Sequence, residues 1–452
     1  MSYKEINCHM NLAFIDFFIC FIGLIMVSLS KNTNVIVAIL LICCGVYNIY
    51  TAYKKTKILV SSISIFSLIW LILMPLTSGQ VPLMEKMSTF QWTYYLSGCL
   101  CFIGGLFISE LLILLSVKQR KKSYEQRGVY ENGKENERWA MSKLLYSCCI
   151  FVLILDIALY LIQAKIAGGF PIFAFDSSTA RSTFFTVNGA ALASNLGFLC
   201  IFLIFCDENY RKRKMFWLLT VTYLIIQVLM TVRFLLFLVI ITLISTFSNK
   251  KLNKKQLKLI FAFCIAAVIC FIIISLFRGG IEDKENYFIN TGIYNGTAKD
   301  LVNTEIIRYF GMSQRTMESY IKFYEPGISN MGHTFYPILD TIGIEPIIPR
   351  HYGIYGYTAC NIITYFYFDA GSLWWLLMIF WSIIMNNWYY KFRANPNSII
   401  NKYLWGISAL GIAMSFYCYI DSYPYWYFHY IVILYFIKIF NSRLKLYHVV
   451  NE

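Results

Sequence analysis

Long apolar runs separated by short polar connectors set the pattern of this chain. An α-helix needs about 20 apolar residues to cross a lipid bilayer, and the runs have that length. An even number of spans would leave both termini on one side of the membrane. About twelve spans are predicted, near 8–29, 34–52, 58–76, 91–116, 144–163, 188–206, 215–231, 234–248, 259–277, 372–389, 403–420 and 427–440.

The composition agrees with a membrane-embedded protein. The chain is 58% hydrophobic and 14% charged, which is more apolar than a typical soluble domain. Helices are the expected spans, because lipid offers no hydrogen-bond partner to an exposed backbone amide. The short alternating segments of a β-barrel are absent from the sequence. The first apolar run is too long for a signal peptide and lacks a small-residue cleavage site, so we expect it to be retained.

The basic residues orient the predicted spans. The formal net charge is +15, and lysines and arginines concentrate in alternate connectors, including the basic segment 118–143. This positive-inside pattern places the N-terminus and that segment in the cytoplasm. Because the charge is distributed over connectors, its expected partner is the membrane lipid headgroup and not nucleic acid.

Two predicted outer segments interrupt the frame of spans. Residues 164–187 begin with glycines and a proline that favour a turn. Residues 278–371 form the largest extracytoplasmic loop, which separates the first nine spans within 1–277 from the last three within 372–452. Helical spacing over 299–324, with Ile306, Tyr309, Phe310 and Met317 on one face, predicts one or two short helices along the membrane surface.

Arginines at the outer face are the clearest candidates for ligand binding. Several guanidinium groups converging on one face would hold a diphosphate and stabilise it as a leaving group. For each arginine taken alone, the alternative is an anchor at the membrane interface. Arg308 and Arg315 would share one helix face. The predicted diphosphate-binding residues are Arg181, Arg233, Arg278, Arg308 and Arg315.

Tyrosines in a polar, glycine-containing turn of the loop are candidates for stacking on sugar rings. These are Tyr352, Tyr355 and Tyr357. No metal site is predicted, because the chain has 5 histidines and no metal-binding spacing. The 14 cysteines lie mainly within apolar runs and form neither a disulfide framework nor a metal motif.

A transfer to a sugar hydroxyl also requires a general base. The outer candidates are His333, Asp340, Glu305 and Asp369, and the sequence does not choose among them. Asp369 precedes a predicted span, where capping the helix that follows is the alternative role.

Two stretches together resemble a known family. Residues 168–173 read Gly-Gly-Phe-Pro-Ile-Phe and are followed by Arg181, which resembles the "GGIPLF … R" turn of Wzy-type O-antigen and capsule polymerases. Residues 361–371 run from Asn-Ile-Ile-Thr to Asp-Ala-Gly, which resembles the "N-V-Y-T … D-F-G" segment of the same proteins. The span layout and the single large outer loop are also similar.

The resemblance implies a GT-C-like membrane glycosyltransferase in the bacterial inner membrane. Such an enzyme joins oligosaccharide repeat units carried on undecaprenyl diphosphate, which serves as both donor and acceptor, at the outer membrane face. It implies no cofactor, nucleotide sugar or metal, and a chain-length regulator as a further partner. Arg181 matches the family turn directly, whereas Arg233 and Arg278 match by their position at span ends.

Other functions share part of this pattern. An O-antigen ligase-like transferase would have the same layout and donor but another acceptor. A lipid-linked oligosaccharide flippase or other transporter would be expected to show internal repeats, interrupted helices and polar residues at mid-membrane. We find no repeats, although Asp16 and Asp156 lie inside apolar runs. An acyltransferase is disfavoured, because no histidine lies centrally in a span.

Overall fold

The computed structural model describes most of the predicted membrane frame and part of the large loop. The described residues are 3–30, 33–58, 60–78, 87–127, 139–174, 180, 183–185, 196–230, 233–247, 258, 262, 265, 269, 313–314, 316–344, 360–418 and 430–451. Within these ranges the chain forms helices joined by turns, without β-strands. This confirms the prediction of an all-α protein.

The helices are numbered here in chain order. The first five are α1 (Tyr3–Leu29), α2 (Asn34–Thr56), α3 (Ser62–Phe66, continued by a π-helical segment Ser67–Leu73 and by Met74–Ser78), α4 (Thr89–Arg127) and α5 (Lys143–Ile166). They are followed by α6 (Leu196–Cys206), α7 (Lys214–Leu229), α8 (Arg233–Phe247) and α9 (Gly332–Thr341). The last four are α10 (Ile362–Ala370), α11 (Trp374–Ala394), α12 (Ile399–Met414) and α13 (Tyr430–Asn451).

Five helical stretches are long and apolar enough to cross a membrane. They are Lys4–Leu29, Asn34–Thr56, Thr89–Val117, Lys143–Phe173 and Ile362–Ala394. Shorter apolar helices occupy Ser62–Leu76, Leu196–Cys206, Lys214–Leu229, Ile399–Met414 and Tyr430–Ser442. The chain is therefore a helical membrane protein. The predicted span 259–277 lies almost wholly outside the described residues.

One span begins earlier than the sequence pattern indicates. The predicted start was residue 372, whereas helix α10 begins at Ile362 and leads through a 3₁₀ turn at Gly371–Leu373 into α11. Asn361 accounts for the early start, because its side chain caps the helix by accepting from the Thr364 amide. The close of the predicted loop is consequently a buried helix within the bundle.

Helices α1, α4 and α11 form the centre of the bundle. Helices α4 and α11 run parallel: Tyr94 stacks on Trp374 at 5.9 Å near their starts, and the Ser382 hydroxyl donates to the Phe102 carbonyl at 2.6 Å further along. A Cβ at Gly105 would lie 2.5 Å from the Ile379 carbonyl oxygen. This glycine therefore permits the close approach of the two helices.

A buried polar cluster joins the same three helices at the opposite end. Arg393 of α11 donates from Nε and Nη2 to the two carboxylate oxygens of Glu5, each at 3.1 Å. Tyr389 also donates to Glu5, at 2.8 Å. Tyr390 bonds the Glu110 carboxylate of α4. A paired and hydrogen-bonded charge is the form in which a carboxylate is tolerated inside a bundle.

The described part of the large loop contains a helix within the predicted stretch 299–324 and a second helix, α9, outside it. Residues 316–323 are helical, and α9 follows after a turn at 326–331. Met317 is buried, whereas Ile306, Tyr309 and Phe310 lie outside the described residues. Phe335, Ile338 and Ile342 are exposed along one side of the second helix and its end. An exposed apolar stripe of this kind suits a helix at the membrane surface.

Candidate functional site

The candidate site residues divide between described and undescribed parts of the chain. Of Arg233 the structure gives the backbone position at the start of α8, and of Asp340 the backbone position within α9. The side chains of His333 and Asp369 are described in full. The remaining candidates, Arg181, Arg278, Glu305, Arg308, Arg315, Tyr352, Tyr355 and Tyr357, lie outside the described residues.

Asp369 caps a helix of the large loop. Its Oδ1 accepts from the His333 amide at 2.9 Å, and its Oδ2 accepts from the Thr334 amide at 2.7 Å and the Thr334 hydroxyl at 2.6 Å. A carboxylate is well placed at a helix N-terminus, because it satisfies free amides and meets the positive end of the dipole. The expectation that Asp369 caps the following helix was wrong: it caps α9, which precedes it in sequence.

The end of α10 also anchors the turn that leads into α9. The amides of Gly327, Ser329 and Met331 donate to the last carbonyls of α10, at 3.0, 2.9 and 3.1 Å. Gly371 follows with φ +57°, and a Cβ there would lie 2.9 Å from the Pro326 Cβ. A glycine is required at this position both for the left-handed backbone and for the close approach.

Asn361 fixes the other end of α10. Its Nδ2 donates to the Gln314 side-chain oxygen at 2.9 Å, and its Oδ1 accepts from the Thr364 amide at 3.3 Å. The Ile362 amide donates to the Ser415 carbonyl at 2.8 Å. The segment 361–371 thus holds the loop against the bundle from both ends, and Asp369 has a positioning role in that arrangement.

His333 of α9 lies against the side chains of α10. Its ring is 6.0 Å from Phe368, nearly parallel to it, and 5.0 Å from Tyr365 in an edge contact. The side chain is buried, and Nε2 has no hydrogen-bond partner. Burial lowers the pKa of His333 below its usual range, and the nearby Asp369 carboxylate opposes that shift. Burial therefore favours the neutral form of the imidazole.

The glycine-proline segment forms the turn that the sequence predicts, and the turn encloses a cavity. Gly168 and Gly169 have φ of +79° and +151°. The Gly169 amide donates to the Ala164 carbonyl at 2.8 Å, which ends α5. A 3₁₀ turn, Pro171–Phe173, follows.

The cavity has a volume of about 260 Å³. Its lining comprises the turn from Ala167 to Ala174, without Ile172, together with Ala180, Thr183 and Phe184. Arg181 therefore lies in sequence between two lining residues. Phe173 is 77% exposed beside it, and the Cβ positions of both glycines face open space. An open, aromatic-edged cavity of this size can hold one sugar ring or a phosphate group.

Aromatic rings continue from this cavity to the buried part of α5. Phe170 stacks on Phe184 at 6.1 Å, Phe184 contacts Phe185 at 5.2 Å, and Phe185 contacts Tyr160 at 5.4 Å. These contacts fix the base of the turn on the membrane frame.

Segment 361–371, α9 and the turn at 326–331 together form the loop anchor. Several of the polar residues that hold it are not indicated by the sequence. Gln314 and Thr334 make the contacts that hold segment 361–371 and α9 in place. Both contacts join residues far apart in the chain, so no local pattern indicates them. Within the described ranges, no group of three or more His, Cys, Asp or Glu side chains could hold a metal ion.

No protein-family model, curated protein or solved structure matches the chain.

Proposed function

We propose that the protein is an oligosaccharide repeat-unit polymerase. It would transfer a growing glycan from undecaprenyl diphosphate to an incoming lipid-linked repeat unit at the outer face of the inner membrane. The observation that carries the proposal is the cavity of about 260 Å³ formed by the turn at 167–184. That turn is the segment whose sequence resembles the polymerase motif, and Arg181 belongs to it.

The topology supports a single outer site. With about twelve spans in a GT-C-like arrangement, the turn after α5 and the loop 278–361 face the same side of the membrane. The parallel starts of α4 and α11 lie at the end of the bundle where the loop is anchored: the Ser88 hydroxyl donates to Glu318 at 3.0 Å. The cavity and the loop anchor would then form two parts of one outer site.

The proposed reaction divides two roles between these parts. Arg181, with Arg278, Arg233, Arg308 and Arg315, would bind the diphosphate of the donor and stabilise the charge that develops as the glycosidic bond breaks. The acceptor hydroxyl would form the new bond at the anomeric carbon and give up its proton. Undecaprenyl diphosphate is the leaving group, so no external energy source is needed.

His333 is the candidate base that the geometry favours. A base must be unprotonated and must have a lone pair available. Burial favours the neutral form of His333, and its Nε2 forms no hydrogen bond that would occupy it. Asp369 uses both carboxylate oxygens to cap α9. Tyr352, Tyr355 and Tyr357 remain proposed contacts for sugar rings.

The test is an assay with purified protein in lipid and a lipid-diphosphate-linked repeat unit. The expected product is a ladder of glycans that differ by one repeat, with release of undecaprenyl diphosphate. A product in which one glycan moves to a lipid-A-like acceptor would instead indicate the ligase. A substrate that crosses the bilayer unchanged would indicate a flippase.

The flippase or transporter is the second candidate, and one observation favours it. The buried Asp156 carboxylate of α5 accepts a hydrogen bond from the Gly197 amide of α6 inside the bundle, at 3.1 Å. Polar and charged residues inside the membrane are a feature of transporters. The turn cavity with its polymerase-like sequence is why the transferase is preferred.

A further inference from the structure

A polar cluster lies inside the bundle, away from the proposed outer site, where α5, α6 and α7 meet. Asp156 of α5 is 4% exposed, and Tyr223 and Gln227 of α7 are fully buried. Gly197 of α6 lies between them: a Cβ there would collide with Asp156 Oδ2 and lie 2.8 Å from the Tyr223 ring. The glycine allows the Asp156 carboxylate and the Tyr223 ring to pack against the same residue of α6.

Asp156 differs from the other buried carboxylates of the described chain in its hydrogen bonding. Its Oδ2 accepts from the Gly197 amide at 3.1 Å, whereas its Oδ1 is buried without a partner. The others have a donor on each oxygen; these are Glu5, Asp16, Glu110, Asp207 and Asp369. Native proteins rarely leave such an atom unsatisfied without a reason.

Polar atoms on the face of α7 that carries Tyr223 are also without partners. The Tyr223 hydroxyl and both polar atoms of the Gln227 amide are buried and form no hydrogen bond. Gln227 follows Tyr223 by one helical turn on α7, so both project from the same face. The titratable groups that interact with Asp156 from the surrounding helices are Cys200, Tyr223 and Tyr430, none of which carries a positive charge. No lysine, arginine or histidine of the described residues pairs with it.

A carboxylate in this position needs a positive charge. An unpaired carboxylate in a low-dielectric interior is unstable, and it is stabilised by binding a proton or a metal cation. Carboxylate, phenol and amide oxygens are hard donors of the type that bind alkali-metal and alkaline-earth ions. A single carboxylate balances a single charge, which favours a monovalent ion over a divalent one.

We propose that Asp156, with Tyr223 and Gln227, forms a binding site for one monovalent cation inside the bundle. The occupant is a single positive charge, supplied either by a proton or by an alkali-metal ion. The cation would join α5, α6 and α7 below the turn cavity. This site goes beyond the proposed glycan chemistry and does not depend on it.

The test is thermal unfolding of the full-length protein in lipid nanodiscs, followed by tryptophan fluorescence. Choline chloride is replaced by sodium or potassium chloride at constant ionic strength, and the series is repeated from mildly acidic to mildly alkaline pH. Asp156→Asn keeps the shape of the side chain and removes its charge. Asp16→Asn is the matched control, because Asp16 is equally buried but has a donor on both oxygens.

An alkali-metal site predicts a wild-type Tm that is higher in sodium or potassium than in choline by about 3 °C or more. The shift should disappear in Asp156→Asn and persist in Asp16→Asn. A proton site predicts no effect of salt and a pH dependence of Tm that Asp156→Asn removes. If wild type and Asp156→Asn respond identically to salt and pH, Asp156 holds an ordered water and the proposal is wrong.

A second variant covers the case in which Asp156→Asn does not fold. Tyr223→Phe removes one oxygen and keeps the ring that packs beside Gly197. It should raise the alkali-metal concentration needed for half of the Tm shift several-fold, or alter the pH dependence of Tm. A Tyr223→Phe protein with wild-type responses to both salt and pH contradicts the three-residue site.

Discussion

At the scale of single residues, Asp369 and His333 show how a capping bond and a candidate base share one location. Asp369 accepts hydrogen bonds from His333 and Thr334 in the first turn of α9. The cap sets the position of the histidine backbone, and the rings of Phe368 and Tyr365 set the orientation of the imidazole. The two residues therefore have different roles and should respond differently to substitution.

We predict that Asp369→Ala destabilises the loop anchor by about 2 kcal/mol, because it removes a buried helix cap. Hydrogen exchange should show faster amide exchange over 332–341. Asp369→Asn should keep part of the protection, since its single amide oxygen still accepts at one of the two positions. If Asp369→Asn keeps the protection but abolishes polymerisation, Asp369 is a base and the positioning role is insufficient.

The His333 pKa predicts a pH dependence of stability with a definite sign. Burial lowers the pKa in the folded state, so below the unfolded pKa of about 6.5 the unfolded chain binds more protons. The contribution is fully present above that pH and is lost as pH falls through the folded pKa. Wild-type Tm should therefore decline on acidification more steeply than that of His333→Phe, which keeps an aromatic ring. Equal slopes would contradict the neutral, buried imidazole.

At the scale of the elements, α10 organises the loop anchor through its two ends and the glycine that follows it. Its N-terminus is capped by Asn361, and its last carbonyls accept from the turn at 326–331. The turn returns so closely that Gly371 contacts Pro326 and Gly327. The position of α9 therefore depends on the backbone geometry at the α10–α11 junction.

We predict that Gly371→Ala lowers stability by about 2 kcal/mol or more, since it combines a left-handed backbone with a collision against the turn. Gly343→Ala is a matched control: it also has positive φ, +75°, but nothing lies within 4 Å of its Cβ position. The comparison of Tm values separates backbone strain from the contact. Equal losses in the two variants would show that packing against Pro326 is unimportant.

The sequence predicts these elements better than it predicts their contacts. The glycine-proline turn at 168–173 and a helix at 316–323, inside the stretch 299–324, follow from local patterns and are confirmed. Helix α9 at Gly332–Thr341 is not predicted. The sequence pattern begins this span at residue 372, which is too late, because the aromatic residues of α10 resemble an interfacial loop. The structure shows that Asn361 caps a helix that begins ten residues earlier. The partner of Asp369 lies 36 residues away, and local helix-capping rules favour a nearby helix.

At the scale of the whole molecule, the bundle has two chemically different ends. At one end, Glu5, Glu110, Tyr389 and Arg393 form a cluster of satisfied hydrogen bonds. At the other end lies the loop anchored by α10, and the proposed topology places the turn cavity on that same side. The hydropathy pattern predicts the transmembrane helices, because the length of an apolar run is enough to identify a span. It cannot place the candidate arginines relative to one another, because their arrangement depends on contacts between distant segments.

The role of the whole protein can be tested in cells by removing it. If it polymerises repeat units, deleting the gene should leave surface glycans with single, unpolymerised repeats, because lipid-linked units would still be made and transferred. Gel electrophoresis of the surface glycan measures the chain length directly. Unchanged chain length after deletion would exclude the polymerase.

The last prediction concerns the outer arginines. Arg181→Ala and Arg278→Ala should each lower polymerisation by about 100-fold or more at unchanged protein level, because each removes a group that stabilises the leaving diphosphate. Arg181→Lys should recover part of the activity, since it keeps the charge but loses the bidentate contact.

Arg213→Ala is the control: this arginine packs on Tyr146 and Tyr210 at the predicted cytoplasmic side, so its loss should leave chain length unchanged. Normal polymerisation by both outer variants would exclude diphosphate binding by Arg181 and Arg278, and an equal loss in Arg213→Ala would point to a general requirement for positive charge.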